Sequence, residues 1–354
     1  MRSRLVGLEA LDDADRRGWA ALAERAIEPN PYFHPDFVLP AARMLGDAVA
    51  IVVAGDWEAA VPVTAARRWR RLPLPGLLSW IHAQCFLGTP LVADAAAVEP
   101  LLAGLGSLGA GAFAEIDLAA ASGPLADALA AALPASAIPF GRFERAALER
   151  RGEPTYLEGR LSGKHRRAQR RLGRDLAAEL GGEVVLVDRG GSDAAVDTFL
   201  ALESAGWKGE SATALSSLPG GGDFLHAVCR AFAARGALQL LFLEAGDHVA
   251  AARLNLRAGA ELFCFKIAHD EALRRFSPGM QMELHMLDHF HADATAARMD
   301  SCADPASKMF NRLWADRKAL GGVLLPRGAR GRAVRPALRA VAERIGRNRV
   351  PEAA

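Results

Sequence analysis

The sequence predicts an α/β protein of two tandem domains, each a mixed, mostly antiparallel sheet flanked by helices. Three observations predict it. The chain has 354 residues, 51% of them hydrophobic, enough for two cores at the roughly 150 residues that one domain takes. Strand-like and helix-like runs alternate, and the order hairpin, strand, helix, strand, helix occurs twice without a sequence repeat. Three apolar runs between residues 238 and 268 are separated only by short glycine turns, the pattern of an antiparallel meander.

In chain order, a polar helix is expected over Asp12–Ala26, then the proline-punctuated aromatic loop Asn30-Pro-Tyr-Phe-His-Pro. Val49–Ala54 and Ala59–Ala66 flank Gly55-Asp56-Trp57 and read as a hairpin. A strand near Cys85–Val92 precedes helix Ala95–Leu108, strand Phe113–Leu118, helix Pro124–Leu133 and extended pieces at Phe140–Leu148 and Thr155–Glu158. The second unit opens with helices Leu161–Leu180 and Asp193–Ser204 around strand Glu183–Asp188. A glycine-rich loop, 218–223, leads into helix Phe224–Arg235. The meander Leu238–Glu244, Val249–Arg257 and Glu261–Ala268 follows, then helix Met280–His291, strand Ala297–Ser301 and helix Pro305–Leu320. Domains are placed at 1–158 and 159–325, with a basic tail at 326–354.

Charge excludes some classes of function. With 43 Lys and Arg against 41 Asp and Glu, the net charge is +2, so the chain is neither disordered nor a bulk polycation. The four cysteines form no Cys-x-x-Cys pair, which gives no support to a disulfide framework or a cysteine-rich zinc site and favours a reducing compartment. No secretory h-region forms before Glu9, and the uncharged stretch Leu72–Ala93 is broken by prolines and glycines. The expected location is therefore cytoplasmic. From Arg327 onward the chain carries eight arginines against two glutamates. That segment is a candidate for peripheral contact with an anionic membrane, or a solvated terminal helix.

The residues with chemistry concentrate in Glu261–Leu284. Ser277 stands where a helix N-cap belongs, followed by Pro278 and Gly279. A helix N-terminus offers backbone N–H groups and a positive dipole end to a phosphate, and Arg274 and Arg275 add charge-assisted contacts. Lys266 interrupts an apolar strand and is a candidate for an anionic substrate, while Asp270, Glu271 and Asp300 lie at strand ends with the right chemistry for a general base. Trp207 and Lys208 sit in a glycine-flanked loop suited to a substrate lid. Lys164-His-Arg-Arg-Ala-Gln-Arg-Arg-Leu-Gly-Arg is the densest basic cluster; on a helix it sets Arg166 and Arg170 along one face and Arg167, Arg171 and Arg174 along its neighbour. An acidic small molecule, a lipid or glycan phosphate, tRNA, and salt bridging to Asp175 and Glu179 all fit it. The pair His285 and His289 lacks the glutamate of a zinc-protease motif, and no metal is expected.

Ser162-Gly-Lys164-His-Arg166, Gly206-Trp-Lys-Gly209, Phe265-Lys-Ile-Ala-His-Asp-Glu271 with Ser277-Pro-Gly279, Asp300-Ser-Cys302 and Asn311-Arg-Leu-Trp314, in this order, resemble bacterial GNAT-type acetyltransferases. The group most alike is the CelD-like proteins linked by name to cellulose and exopolysaccharide biosynthesis. The Fem-type aminoacyl transferases are similar at a greater distance. The resemblance covers about Gly159–Trp314, with the Asn30 segment looser. It implies two GNAT-like domains and an acyl-CoA pyrophosphate at Arg274–Gly279, although the usual glycine-rich signature is reduced there to Gly279 and no tyrosine acid follows residue 156.

The expectation is an acyltransferase that moves an acetyl or other acyl group from acyl-CoA, the co-substrate, to an amine or hydroxyl of a small or glycan-precursor acceptor by direct attack. Arg274, Arg275, Ser277, Pro278 and Gly279 would hold the donor. Asp270, Glu271 or Asp300 would take the proton, and Arg166, Trp207, Lys208 and Lys266 would hold the acceptor. Two rivals stand beside it: a Fem-type transferase using aminoacyl-tRNA, and a non-catalytic binding partner in envelope polysaccharide assembly.

Overall fold

The computed structural model describes residues 2–205 and 214–348. The chain divides into two compact units, Met1–Arg145 with Asp304–Ala306 and Lys318–Ala354, and Ala146–Ala303 with Ser307–Arg317. The linear partition expected at 158 and 325 differs from this division because the chain returns to the first unit after residue 317.

In the first unit the expected hairpin forms, Ala50–Ala54 against Ala59–Ala66, with Ala54 opposite Ala59. Strand Ser3–Gly7 pairs on its outer edge. On the other side Gly76–Ser79 follows, running parallel to Phe113–Ala120, which in turn takes residues 320–326 antiparallel. Helix Val98–Ser107 buries Val98, Leu101, Leu102 and Leu105, the stripe that helical spacing puts on one face. Asp12 caps helix Asp13–Arg25 by accepting from Asp15 N at 2.8 Å.

Three expectations change here. The strand over Cys85–Val92 shrinks to Leu91–Val92. Side chains and loops satisfy the preceding backbone instead: Asn30 Nδ2 donates to Leu87 O (3.1 Å) and Thr89 O (2.7 Å), and Gly88 N donates to Leu118 O (2.8 Å). The helix expected over Pro305–Leu320 is only Lys308–Leu313, followed by strand Asp316–Pro326, because Gly321 and Gly322 are poor helix formers. A Cβ on Gly322 would stand 2.3 Å from the Phe140 ring, so a glycine is needed for this contact. The segment read as a tail forms helix Gly328–Asn348, with Leu338 and Ala342 buried among Trp69, Phe113, Ile138 and Phe140. Its apolar face is thus used inside the first unit.

In the second unit the meander is Leu238–Ala245, His248–Ala258 and Glu261–His269, and Val185–Asp188 pairs with the first of these strands. Strand Arg298–Asp300 lies between Glu261–Phe263, to which it is parallel, and Ala147–Glu149, to which it is antiparallel. Helices Asp193–Ala205 and Gly221–Ala234 pack on each other, and helix Pro278–Ala292 packs on the meander. Its Met286, Leu287 and Phe290 share a core with Leu262, Cys264, Met299 and Trp314. Thr155–Glu158 is a turn rather than an extended piece, with Glu158 N donating to Thr155 O at 3.0 Å. Helix Gly163–Leu180 starts at Ser162, which accepts from His165 N, and ends at the left-handed Gly181. The four cysteines are buried and free. Among the described residues no helix is long and apolar enough to cross a membrane.

Candidate active site

The site is built on strand Glu261–His269 and the two structures that end beside it. Leu254 pairs with Lys266 and Asn255 with Cys264, leaving Phe265 as an extra residue in a β-bulge. The bulge sends two consecutive side chains the same way. Phe265 meets the Phe224 ring of helix Gly221–Ala234 edge-on at 6.3 Å, and Lys266 Nζ lies 4.0 Å from Glu203 of helix Asp193–Ala205. Cys264 points instead into the core shared with helix Pro278–Ala292.

The parallel pairing of this strand with Arg298–Asp300 lasts three residue pairs, ending at Phe263 opposite Asp300. Beyond it the two chains part. Ser301 N donates to Ala146 O (3.1 Å) on the far side, while Cys264–His269 keeps only its antiparallel neighbour of the two. The diverging strands leave a wedge at their C-terminal ends, the place where parallel strands commonly hold ligands.

After the strand, Asp270 caps the short helix Glu271–Phe276 by accepting from Ala272 N at 2.8 Å. His269 Nε2 lies 3.3 Å from Glu271 Oε1, and its ring is 3.8 Å from the position of a Cβ on Gly279. Arg274 is exposed; Arg275 is also exposed and pairs with Glu179 at 2.5 Å. Ser277 stands at the N-cap as expected, but in the left-handed region (φ 55°, ψ 56°) and with no side-chain capping bond. Its backbone is engaged: its N–H donates to Arg274 O, and its O accepts from both Met280 N and Gln281 N. Pro278 has no N–H, so Gly279 alone offers an N–H from this turn outside that bonding. Of the expected anion cradle the turn itself therefore offers one N–H and the Ser277 hydroxyl, while Arg275 is paired with Glu179 and Arg274 is exposed.

The remaining candidates separate. Asp300 is fully buried and accepts from the backbone N of Cys302 (3.0 Å), which itself sits at φ 50°. Arg166 lines a cleft on the flank of helix Pro278–Ala292, away from Gly279. Trp207 and Lys208 lie outside the described residues. Glu203 escaped the sequence reading although it was legible: Val196, Phe199, Leu200 and Glu203 share the buried stripe of their helix, and an acid in an apolar stripe is a signal. It also accepts from Leu215 N at 2.9 Å. Behind the wedge lies a buried polar chain: Arg253 pairs with Glu283 and donates to Asn255 (2.7 Å), and Asn255 donates to Gln239 (3.0 Å). Among the described residues no group of three or more His, Cys, Asp or Glu is arranged to hold a metal ion.

No curated protein sequence matches the chain. Among solved structures, FemX is similar at 11% identity, a TM-score of 0.57, and coverage of 92% of this chain and 97% of that one. A conserved protein of unknown function from Bacteroides thetaiotaomicron gives 12%, 0.57, 89% and 98%. L-PGS from Bacillus licheniformis gives 11%, 0.54, 95% and 99%. At these identities the likeness is one of fold over nearly the whole length of each chain. Residues 163–307 match the family described as "Acetyltransferase (GNAT) domain". The wedge, the bulged strand and the helix start at Pro278 all lie within the residues matched to that family.

Proposed function

We propose that the protein is an acyltransferase that takes an acetyl or longer acyl group from acyl-CoA and passes it to an amine or hydroxyl of a small or glycan-precursor acceptor, of the exopolysaccharide type that the CelD-like resemblance implies. One observation carries this reading: the parallel strands part after Phe263 and Asp300, beside a helix that begins at Pro278. When bound, acyl-CoA supplies a thioester carbon as electrophile. Arg274, Arg275, the Ser277 hydroxyl and the Gly279 N–H hold the phosphates. The acceptor attacks directly, the C–O or C–N bond forms as the C–S bond breaks, and CoA leaves as its thiolate, which takes up the proton that the acceptor gives up. Glu271 with His269 is the proton-accepting pair nearest this turn, whereas Asp270 and Asp300 are committed to backbone N–H groups. Lys266, nearly dry beside Glu203, supplies positive charge at the bulge for developing negative charge.

That Gly279 alone offers a free N–H at the donor turn favours a second reading, transfer from aminoacyl-tRNA, since such a donor needs no pyrophosphate cradle. The test is calorimetric titration of the full chain with acetyl-CoA and longer acyl-CoAs, beside a Gly279→Trp variant. A Cβ at Gly279 stands at ordinary contact distance, 3.8 Å from His269 and 3.9 Å from Met309, so the substitution sets a bulky side chain on the turn without a clash at its Cβ. Saturable binding lost in the variant supports acyl-CoA. Absence of binding by folded protein refutes it and makes aminoacyl-tRNA the next titrant.

A further inference from the structure

Helix Gly163–Leu180 carries Arg166, Arg167, Arg170, Arg171 and Arg174, and none of the five makes an ion pair or side-chain hydrogen bond to another described residue. The acids on the same helix are not spent on them, since Glu179 pairs with Arg275 instead. Like charges one helical turn apart repel and destabilise an isolated helix. A partner that brings negative charge would relieve that repulsion.

Four of the five, all but Arg171, border a concavity. Arg166, Arg167 and Arg170 line a cleft of about 510 Å³ with the loop Pro154–Leu161 and with Leu284 and Asp288 of helix Pro278–Ala292. Arg170 and Arg174 line an adjoining cleft of about 450 Å³, which shares Gln169, Leu284 and Asp288 with the first, so the two form one groove. Its floor is fixed. Gln281 approaches Gly173 so closely that a Cβ there would stand 2.9 Å from its Oε1, and Gln281 Nε2 donates to Gln169 O (3.2 Å) and Oε1 (3.1 Å).

We propose that this groove is a second ligand site, separate from the donor turn, for a small molecule bearing at least two phosphate charges. A rise of about 1.5 Å per residue sets Arg166, Arg170 and Arg174 in a row with steps of about 6 Å, and each guanidinium fork suits one phosphoryl group. The volume is that of a small-molecule site. Glu158, Glu183 and Asp288 share the lining, and a continuous polyanion such as RNA would have to run past all three carboxylates. The leucines beside them, Leu157, Leu161 and Leu284, accommodate the uncharged part of the ligand.

The test is titration of the full chain with inorganic pyrophosphate, alone and with saturating acetyl-CoA, for the parent and for Arg167→Gln/Arg170→Gln. These arginines are exposed, so an unchanged melting temperature is the folding control. The expected result is saturable, salt-sensitive binding, unaffected by acetyl-CoA and at least about tenfold weaker in the double variant; Arg167→Lys/Arg170→Lys falls between. Vesicles containing cardiolipin, whose headgroup carries two phosphates, form a second arm: vesicle binding that pyrophosphate displaces identifies the phosphates as those of a lipid headgroup. Equal pyrophosphate affinity in parent and double variant overturns the proposal. So does competition between pyrophosphate and acetyl-CoA, which would make the groove the donor's own phosphate site. Binding of tRNA that the double variant abolishes and pyrophosphate fails to displace would overturn it as well. Acetyl-CoA binding, measured in the same samples, reports separately on the donor reading.

Discussion

Phe263 and Asp300 are the last residues paired across the parallel strands of the second unit, and the chain on either side of that pair turns to different neighbours. Asp300 holds the departure in place by accepting from Cys302 N, two residues on, at 3.0 Å. An amide oxygen can accept the same bond. Asp300→Asn is therefore expected to keep the acyl-transfer rate within about threefold, while Asp300→Ala leaves a buried N–H unpaired and costs about 1–3 kcal/mol in urea unfolding. A loss of about a hundredfold or more in the Asn variant at full stability would return Asp300 to the role of general base.

Lys266 and Glu203 meet only because the bulge at Phe265 turns Lys266 toward helix Asp193–Ala205. If the lysine charge acts on the reacting group, Lys266→Met lowers kcat by about tenfold or more with the acetyl-CoA affinity unchanged. Glu203→Gln keeps an acceptor for Leu215 N but removes the charge beside Lys266. The expected result is a change in kcat with little change in melting temperature. A parallel fall in stability and activity would instead mark the pair as structural.

The contiguous part of this site was legible, and the non-local part was not. The run from Lys266 to Gly279 contains the strand end, the arginines and the helix start, because local chemistry and helix-start signals need no tertiary knowledge. A one-residue bulge leaves no mark in an alternating pattern, so the turn of Lys266 toward Glu203 was invisible even though each residue was out of place in its own stripe. Ser277 illustrates a different failure: serine predicts a side-chain cap, yet the tight exit from helix Glu271–Phe276 drives it into the left-handed region and removes that bond. The alternation of elements gave the meander and its flanking helices closely. It failed at Asp316–Pro326, where an apolar run with two glycines reads as helix or strand by periodicity alone and the sheet decides.

Arg253 and Glu283 form an ion pair with both side chains wholly removed from solvent, and the guanidinium also lies 5.6 Å from the Trp314 ring centroid. Removing one partner strands the other charge in the core. Glu283→Ala is expected to cost about 3–5 kcal/mol, whereas Arg253→Met with Glu283→Leu, which removes both charges and fills the volume, should recover most of that loss. Chemical denaturation of the single and double variants measures the difference. A double variant as unstable as the single one would show that Asn255, left without its Arg253 donor, accounts for the cost.

His82 in the first unit is packed between the Trp80 ring, 4.4 Å away, and Phe37, and its Nδ1 accepts from Gln84 N at 3.3 Å. That bond requires a neutral ring, and burial lowers its pKa from 6.5 to about 4 despite the nearby Asp47. Below pH 6.5 the unfolded chain takes up a proton that the folded chain refuses, so stability falls as the pH drops toward 4. Over that window the histidine alone accounts for up to about 3 kcal/mol, all of it present at neutral pH. Asparagine offers an oxygen to the same Gln84 N–H but does not titrate. The stability difference between His82→Asn and the parent, followed by urea unfolding, should therefore shift in favour of the variant as the pH falls from 6.5 to about 4. A difference independent of pH would mean that His82 becomes protonated without leaving its place between Trp80 and Phe37.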